Sequence, residues 1–326
     1  MKRFVTRTTI FAGLAFLLLA VALFILPNPV VKHNMLGALL DKHEMLRKTG
    51  SPVAGSRIAG SPRIIIIGGS NVAYGLDSKR IQEALHIPVV NAGLHASLGM
   101  KFYLTDIKPY VREGDIVVVI PEYSQYYTDS FYGNMELVSI LFDVYRDGMR
   151  EIDARQWWHL MQFIPFYAAS KLKMSKEPST TGPVDVYDRK AFNNYGDAYV
   201  HWTMPGRKFK AAQKAKEEDQ VNPEAMELLV DFQKFVEGKK ATMFLLPPAY
   251  QSTSFVNQKP LIDKIYQSIK ENHLPVIAAP ERYELPDSVF FDTSYHLILP
   301  GIERRSELMI EDLERALPGR YVSVGQ

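Results

Sequence analysis

The chain has 326 residues, of which 47% are hydrophobic and 23% charged, and a formal net charge of +2. That length can bury a sizeable core in one large domain, and a small net charge with basic residues spread along the chain leaves no electrostatic footprint for nucleic acid. There is no cysteine, which excludes disulfides, thiolate metal sites and a cysteine nucleophile but does not separate periplasm from cytosol.

At the N-terminus, Lys2, Arg3 and Arg7 precede an uncharged run from Thr8 to Val31. A hydrocarbon core of ~30 Å needs ~20 helical residues, and Lys/Arg before the first span keep that end in the cytoplasm. Residues 1–31 are expected to be a single-pass anchor in a bacterial inner membrane, with all that follows extracytoplasmic (periplasmic). The alternative is a cleaved signal peptide, whose apolar region is ~7–15 residues and ends in a small-x-small site; this run ends in Phe24-Ile25-Leu26-Pro27. Residues 32–62 read as a juxtamembrane stalk and linker, with a helix at about 35–47 and a Gly/Ser/Pro-rich stretch at 50–62.

An α/β domain is expected over residues 63–326. It opens with Arg63-Ile64-Ile65-Ile66-Ile67, a β-branched run suited to a strand buried on both faces of a parallel sheet. A helix at about 78–85, a strand at 89–91, a helix at about 99–110 and a strand at 115–120 follow. The alternation then stops from about 122 to 220, an aromatic-rich region read as a mostly helical insertion with an irregular later part at 175–210. It resumes with a helix capped by Asn222, with Pro223 at its first position and Gly238 after its end. A strand at 241–246, a helix at about 261–271, a strand at 275–279 and an amphipathic helix at about 302–317 complete a doubly wound sheet.

Gly68-Gly69-Ser70-Asn71 falls at the carboxyl end of the first strand, where ligands of open α/β sheets bind. Glycines allow a sharp turn and close approach, and serine there is either a nucleophile or a simple cap. The segment matches neither GxGxxG nor GxxxxGK[ST], so a nucleotide is not expected. A serine hydroxyl needs a base, and the base an orienting acid. Of eight histidines, His296 lies in Phe291-Asp292-Thr293-Ser294-Tyr295-His296-Leu297, after the last strand and before the terminal helix. Asp292 stands four residues before it. The ordinary reading of either residue alone is a surface pair without a role; a serine at the same sheet edge favours catalysis. No pair of histidines sits at ligand spacing, so neither a metal nor another cofactor is expected.

At these residues the chain resembles the SGNH, or GDSL-type, hydrolases, over residues 63–121 and 241–317. Ile64 to Asp77, with Gly69-Ser70 after the first strand, is similar to that family's nucleophile block, with Gly69 in place of the usual acidic residue. Asn91-Ala92-Gly93 is similar to the second block, and Asp292 to His296 to the terminal block. The resemblance implies a flavodoxin-like three-layer α/β sandwich and a triad of Ser70, His296 and Asp292. It also implies an oxyanion hole from the amides of Ser70 and Gly93. Two departures accompany it. The Asp-to-His spacing is four rather than three, and the asparagine expected after the third strand is replaced by Pro121-Glu122-Tyr123-Ser124. A lost oxyanion donor costs ~2.7–4 kcal/mol of barrier. The Asn71 amide and the Tyr123 hydroxyl are candidates to compensate, and with Glu122 are candidate substrate-binding groups.

Anchored proteins of this type add or remove acyl groups on exported polysaccharides, often beside a membrane acyltransferase. The expected function is an O-acyltransferase or esterase acting on a cell-envelope glycan. The alternative is a non-catalytic protein of the same fold that binds a glycan or a membrane partner. Trp157, Trp158 and Trp202 suit stacking on sugars, although aromatics at helical spacing more commonly belong to a core.

Overall fold

The computed structural model describes residues 1–50, 62–173 and 182–317. In chain order the elements are α1 (Lys2–Phe24), α2 (Pro29–His33), α3 (Ala38–Lys48), β1 (Ile64–Gly68), α4 (Ser70–Ala73), α5 (Ser78–Leu85), β2 (Val89–Asn91), α6 (Met100–Asp106) and β3 (Ile116–Ile120). The insertion carries α7 (Met135–Asp143), α8 (Ala154–Leu160) and α9 (Ile164–Lys173). After it come α10 (Pro223–Gly238), β4 (Thr242–Leu245), β5 (Tyr250–Gln251), α11 (Ser252–Glu271), β6 (Glu284–Leu285) and α12 (Leu299–Ala316).

The main sheet is parallel with order β2-β1-β3-β4, Ile64 pairing with both Val89 and Ile116. A parallel bridge from Leu245 to Val276 adds a fifth position beyond β4, completing a flavodoxin-like order, while β5 and β6 pair with each other outside this sheet. The strand expected at 275–279 is reduced to that bridge. Pro275 has no N–H to donate, and Leu245 N donates to the Pro275 carbonyl while Ile277 N returns to Leu245.

Side-chain alternation along the strands builds two cores. Ile65, Ile67, Val117, Val119 and Met243 face α3, α6, α10 and α11, while Ile64, Ile66, Ile116, Val118 and Phe244 face α5 and α12. All five residues of β1 are buried, as a strand covered on both faces requires. A third core lies within the insertion and includes Leu137, Leu141, Leu160 and Tyr167.

Two expectations need correction. The segment expected to stand off as a stalk is packed onto the domain: Leu39, Lys42, His43 and Leu46 of α3 are all buried. Much of its sequence is charged, which hides the burial, but the buried polar heads find hydrogen-bond partners. Lys42 Nζ donates to the carbonyls of Asn91 (2.9 Å) and Gly196 (2.7 Å), and His43 Nε2 lies 2.8 Å from Asp106. The linker expected at 50–62 lies almost wholly outside the described residues. The second correction is α11, which starts nine residues before the expected 261 and runs through Pro260. The apolar contacts of Phe255, Leu261 and Ile262 with the sheet outweigh the one backbone bond that proline removes.

Arg63, fully buried just before β1, ties α3 to the sheet. Its guanidinium meets Asp115 at 3.3 Å and donates to the carbonyls of Thr49 (2.9 Å) and Tyr110 (2.6 Å). Burial raises the Asp115 carboxyl and depresses Arg63, and each ion opposes the shift of the other, with the N–H and charge of Arg112 also favouring the Asp115 carboxylate. Arg63→Met is expected to cost about 3–5 kcal/mol by removing the buried guanidinium from Asp115, which keeps its hydrogen bond from Arg112 N at 2.9 Å. Denaturant unfolding in detergent reads this directly, and a cost under about 1 kcal/mol would mean the pair behaves as a surface bridge.

The N-terminal helix is long and apolar enough to cross a membrane, with a mean hydropathy of 2.8 in its most apolar window.

Candidate active site

Three segments meet at the carboxyl edge of the sheet. The first is the turn from β1 into α4. A Cβ on Gly68 would lie 2.4 Å from the Ile120 carbonyl oxygen, and one on Gly69 would lie 2.8 Å from Glu122 Oε1 and 2.9 Å from Ala96 Cα. Neither position has room for a side chain, which explains why no acidic residue precedes the serine. The carboxylate arrives from the end of β3 instead: Ser70 Oγ donates to Glu122 Oε1 at 3.1 Å, and Asn71 N donates to the same oxygen at 3.1 Å.

The second segment is the loop before α12. His296 Nδ1 lies 2.9 Å from Asp292 Oδ1, so the four-residue spacing does close the pair. Tyr187, from the insertion, donates its hydroxyl to Asp292 Oδ2 at 2.6 Å and lies 3.4 Å from His296 Nδ1. The imidazole stacks on Tyr74 with ring centroids 4.6 Å apart. Tyr74 N in turn donates to the Ser70 carbonyl and Leu297 N to the Tyr74 carbonyl, joining the two loops through the backbone. Burial alone would raise the Asp292 carboxyl, but hydrogen bonds from His296 and Tyr187 hold it below its ordinary value. Asp292 is therefore ionised and fixes the ring.

The third segment follows β2. His95 Nδ1 accepts from Ser97 N at 3.1 Å, which leaves the proton of the neutral ring on Nε2. Burial and then the charge of His296 push His95 down to about 4.

Ser70, Asp292 and His296 thus share one edge, but among the described residues the Ser70 hydroxyl bonds to Glu122 and makes no hydrogen bond to His296. Three other expected roles change. The Gly93 N–H is engaged by Asn91 Oδ1 at 3.0 Å, and a Cβ there would meet Val72 at 2.4 Å; this amide is turned into the fold. Asn71 is fully buried, its Nδ2 donating to the Ile120 carbonyl at 3.1 Å and its own carbonyl accepting from Arg305 of α12. It holds the turn and does not face a substrate. Tyr123 is buried with its ring edge-on to Tyr250, and among the described residues its hydroxyl has no hydrogen-bond partner, so what it can offer a substrate is the ring and not the hydroxyl. Sequence reasoning missed Tyr187 and Tyr74, since no local spacing links them to His296.

Glu122, which stands where the resemblance leads one to expect an asparagine, sets a carboxyl beside the serine. Burial raises its carboxyl, against the hydrogen bond from Asn71 and the charge of His296. A carboxyl whose folded pKa lies above its unfolded value of ~4.3 contributes stability at low pH that is lost as pH rises through the folded value. Glu122→Gln keeps the acceptor oxygen and removes the titration. The Tm of E122Q relative to native should be level in acid and climb as pH rises out of the usual carboxylate range, then plateau. A difference that stays flat from about pH 4 to 8 would show that Glu122 ionises normally.

Beside the Asp292 loop lies a cavity of about 390 Å³ walled by Tyr123, Tyr127, Phe209, Tyr250 and Tyr295. Its lining reaches Asp292 but not Ser70. Of the tryptophans, Trp157 and Trp202 pack against cores and Trp158 is exposed.

The fold is therefore a flavodoxin-like α/β sandwich, with an oriented Asp–His pair and a serine at its ligand-binding edge. No family model and no curated protein matches the sequence. Among solved structures the chain is similar to the crystal structure of protein YxiM from Bacillus subtilis, at 13% identity and a TM-score of 0.38. The match covers 78% of this chain and 57% of that one, so the chain spans little more than half of that protein's length.

Proposed function

We propose that the chain is a membrane-anchored serine esterase or O-acyltransferase whose substrate is an exported polysaccharide or other envelope glycan. The observation that carries this reading is the Asp292–His296 pair at 2.9 Å, braced by Tyr187 and stacked on the residue four places after Ser70. A half-buried, ionised carboxylate on Nδ1 sets the tautomer in which Nε2 can accept a proton.

In this reading Ser70 turns its hydroxyl from Glu122 to His296, which removes the proton as the oxygen attacks the acyl carbon. The proton then passes from His296 to the departing alkoxide, leaving an acyl-serine. A sugar hydroxyl or water, deprotonated by the same imidazole, releases the acyl group. With Gly93 turned inward, the donors left for the oxyanion are the Ser70 N–H and the neutral His95 ring. A charged Glu122 would oppose that oxyanion, and the upward shift of its carboxyl favours the neutral form that does not. The aromatic cavity beside Asp292 suits a sugar ring, whose apolar faces stack on tyrosine and phenylalanine. The basic flank of α1 supports an extracytoplasmic domain, where such glycans and a membrane acyltransferase partner would be met.

The test is release of acetate from acetylated glycans and aryl acetates by the full-length protein in detergent. Native protein should turn over and Ser70→Ala should not; equal rates in the two would exclude this function. The second reading, a glycan-binding protein without catalysis, is favoured by one observation, the Ser70 hydroxyl held by Glu122. Glycan binding with no turnover by either protein would select it.

A further inference from the structure

The insertion carries apolar side chains that no part of the described chain covers. Trp158 is 77% exposed, Met161 55%, Phe166 69% and Leu172 71%. On α9, Phe166, Ala169 and Leu172 fall at three-residue steps on the outward side, while Tyr167, Ala168 and Lys171 form the buried side. Both faces of this helix are therefore largely apolar, which water does not favour.

The position of α9 relative to α1 says what covers it. Arg7 is the last charged residue before Lys32. The seventeen residues of α1 that follow Arg7 rise about 26 Å at ~1.5 Å each, most of a ~30 Å hydrocarbon core, so the helix ends at Phe24 near the outer boundary of that core. Residues 19–26, the last six of α1 and the two that follow it, then lie in the outer part of that core and at its boundary. It is this stretch that the insertion grips: α1 packs on α9, Ala22 and Leu23 are buried, and Leu19 and Leu26 are partly buried against the insertion's core. By contrast, Ile10, Phe11, Leu14, Leu17 and Leu18 are exposed.

The grip is polar as well as apolar, and so fixed in register. Lys171 Nζ donates to the Leu23 carbonyl at 3.0 Å and pairs with Asp143 at 2.8 Å. Asp143 in turn accepts from Asn28 N at 3.2 Å and from the Tyr167 hydroxyl. Arg146 Nη2 reaches the Phe24 carbonyl at 3.2 Å. An element locked against residues 19–26 of a spanning helix cannot remain in water while that helix is in lipid.

We propose that α8 and α9 form a second, interfacial membrane contact. In it Phe166 and Leu172 enter the acyl-chain region of the outer leaflet, and Trp158 lies near the headgroups, where tryptophan is enriched. The occupant of this face is the lipid of the bilayer that α1 crosses. The contact fixes the orientation of the domain to the membrane, and the same insertion supplies Tyr187 to the Asp292 loop. The inference rests on the anchor reading of α1 but not on catalysis.

Because the chain has no cysteine, single spin labels can be placed cleanly. The full-length variants Leu14→Cys, Phe166→Cys, Leu172→Cys and Val256→Cys would be compared in nanodiscs of phosphatidylcholine and phosphatidylglycerol. Collision with oxygen, which partitions into lipid, is measured against collision with a water-soluble nickel chelate. Val256 is 68% exposed on α11 and serves as the aqueous reference. The expected result is an oxygen-to-nickel ratio severalfold higher at 166 and 172 than at 256, approaching that at 14. A high ratio at 14 with aqueous ratios at 166 and 172 would overturn the proposal while leaving the anchor intact. Shielding of 166 and 172 from both probes would overturn it in favour of contact between copies of the chain. An aqueous ratio at 14 would remove the anchor, and the proposal with it.

Discussion

Replacing His296 with alanine is expected to lower acyl-ester turnover by roughly 10⁴- to 10⁶-fold, since loss of the general base of a serine triad leaves only binding and oxyanion stabilisation. No neighbouring imidazole can stand in. His95 and His201 are both pushed down to about 4, first by burial, which persists when His296 is removed, and then by the charge of His296; burial keeps them poor bases at neutral pH. His201 also sits between Tyr74 and Phe291, walled in by aromatic rings. The measurement is the single-turnover rate on an aryl acetate, with far-ultraviolet circular dichroism to establish that H296A is folded. A loss of less than about tenfold in a folded variant would remove His296 from the role of base.

Asp292→Asn is expected to cost about 10²- to 10⁴-fold in the same rate. The upper value is that of a triad whose imidazole takes the wrong tautomer, because an amide can donate to Nδ1 and drive the proton onto Nε2. Tyr187 sets the lower value, since its hydroxyl at 3.4 Å from Nδ1 remains to orient the ring. The double variant with Tyr187→Phe should therefore lose more than the product of the single losses, as residues sharing one partner couple. Stability gives an independent reading. Asp292 is held below its ordinary value, so its contribution is present above the unfolded value of ~3.9 and lost as pH falls through the folded one. D292N should accordingly be less stable than native protein at neutral pH, with the gap closing in acid. A gap that widens in acid would mean that Asp292 is not ionised in the folded state.

The sheet was legible because β1 and β3 are continuous β-branched runs with glycine or turn residues at their ends, and β4 is a short apolar run preceded by the Gly238 turn. β2 falls on the expected Val89–Asn91, and α10 begins at Pro223 with Asn222 Oδ1 accepting from Glu224 N. Legibility failed where burial was bought with charge. His43 and Lys42 look like stalk residues until Asp106 and two backbone carbonyls, distant in sequence, are seen to meet them. The same limit applies at the site. Asp292 and His296 could be linked because a short loop contains both, and their pairing tolerated the longer spacing. The partner of Ser70 could not be read locally: Glu122 lies fifty-two residues away, and only the register of β1 with β3 brings them together. Gly93 misled for a related reason, because its amide is consumed by Asn91 two residues earlier, a turn that the tripeptide alone does not reveal.

The most direct measurement is mass spectrometry of the full-length protein after reaction with a fluorophosphonate, which forms a stable adduct only with a serine whose hydroxyl is activated by a base. A serine-dependent acyl-transfer centre predicts one adduct per chain on Ser70 in native protein, none in S70A, and a strongly slowed reaction in H296A. Native protein that stays folded and unmodified, or that carries its adduct on a serine other than Ser70, would contradict it.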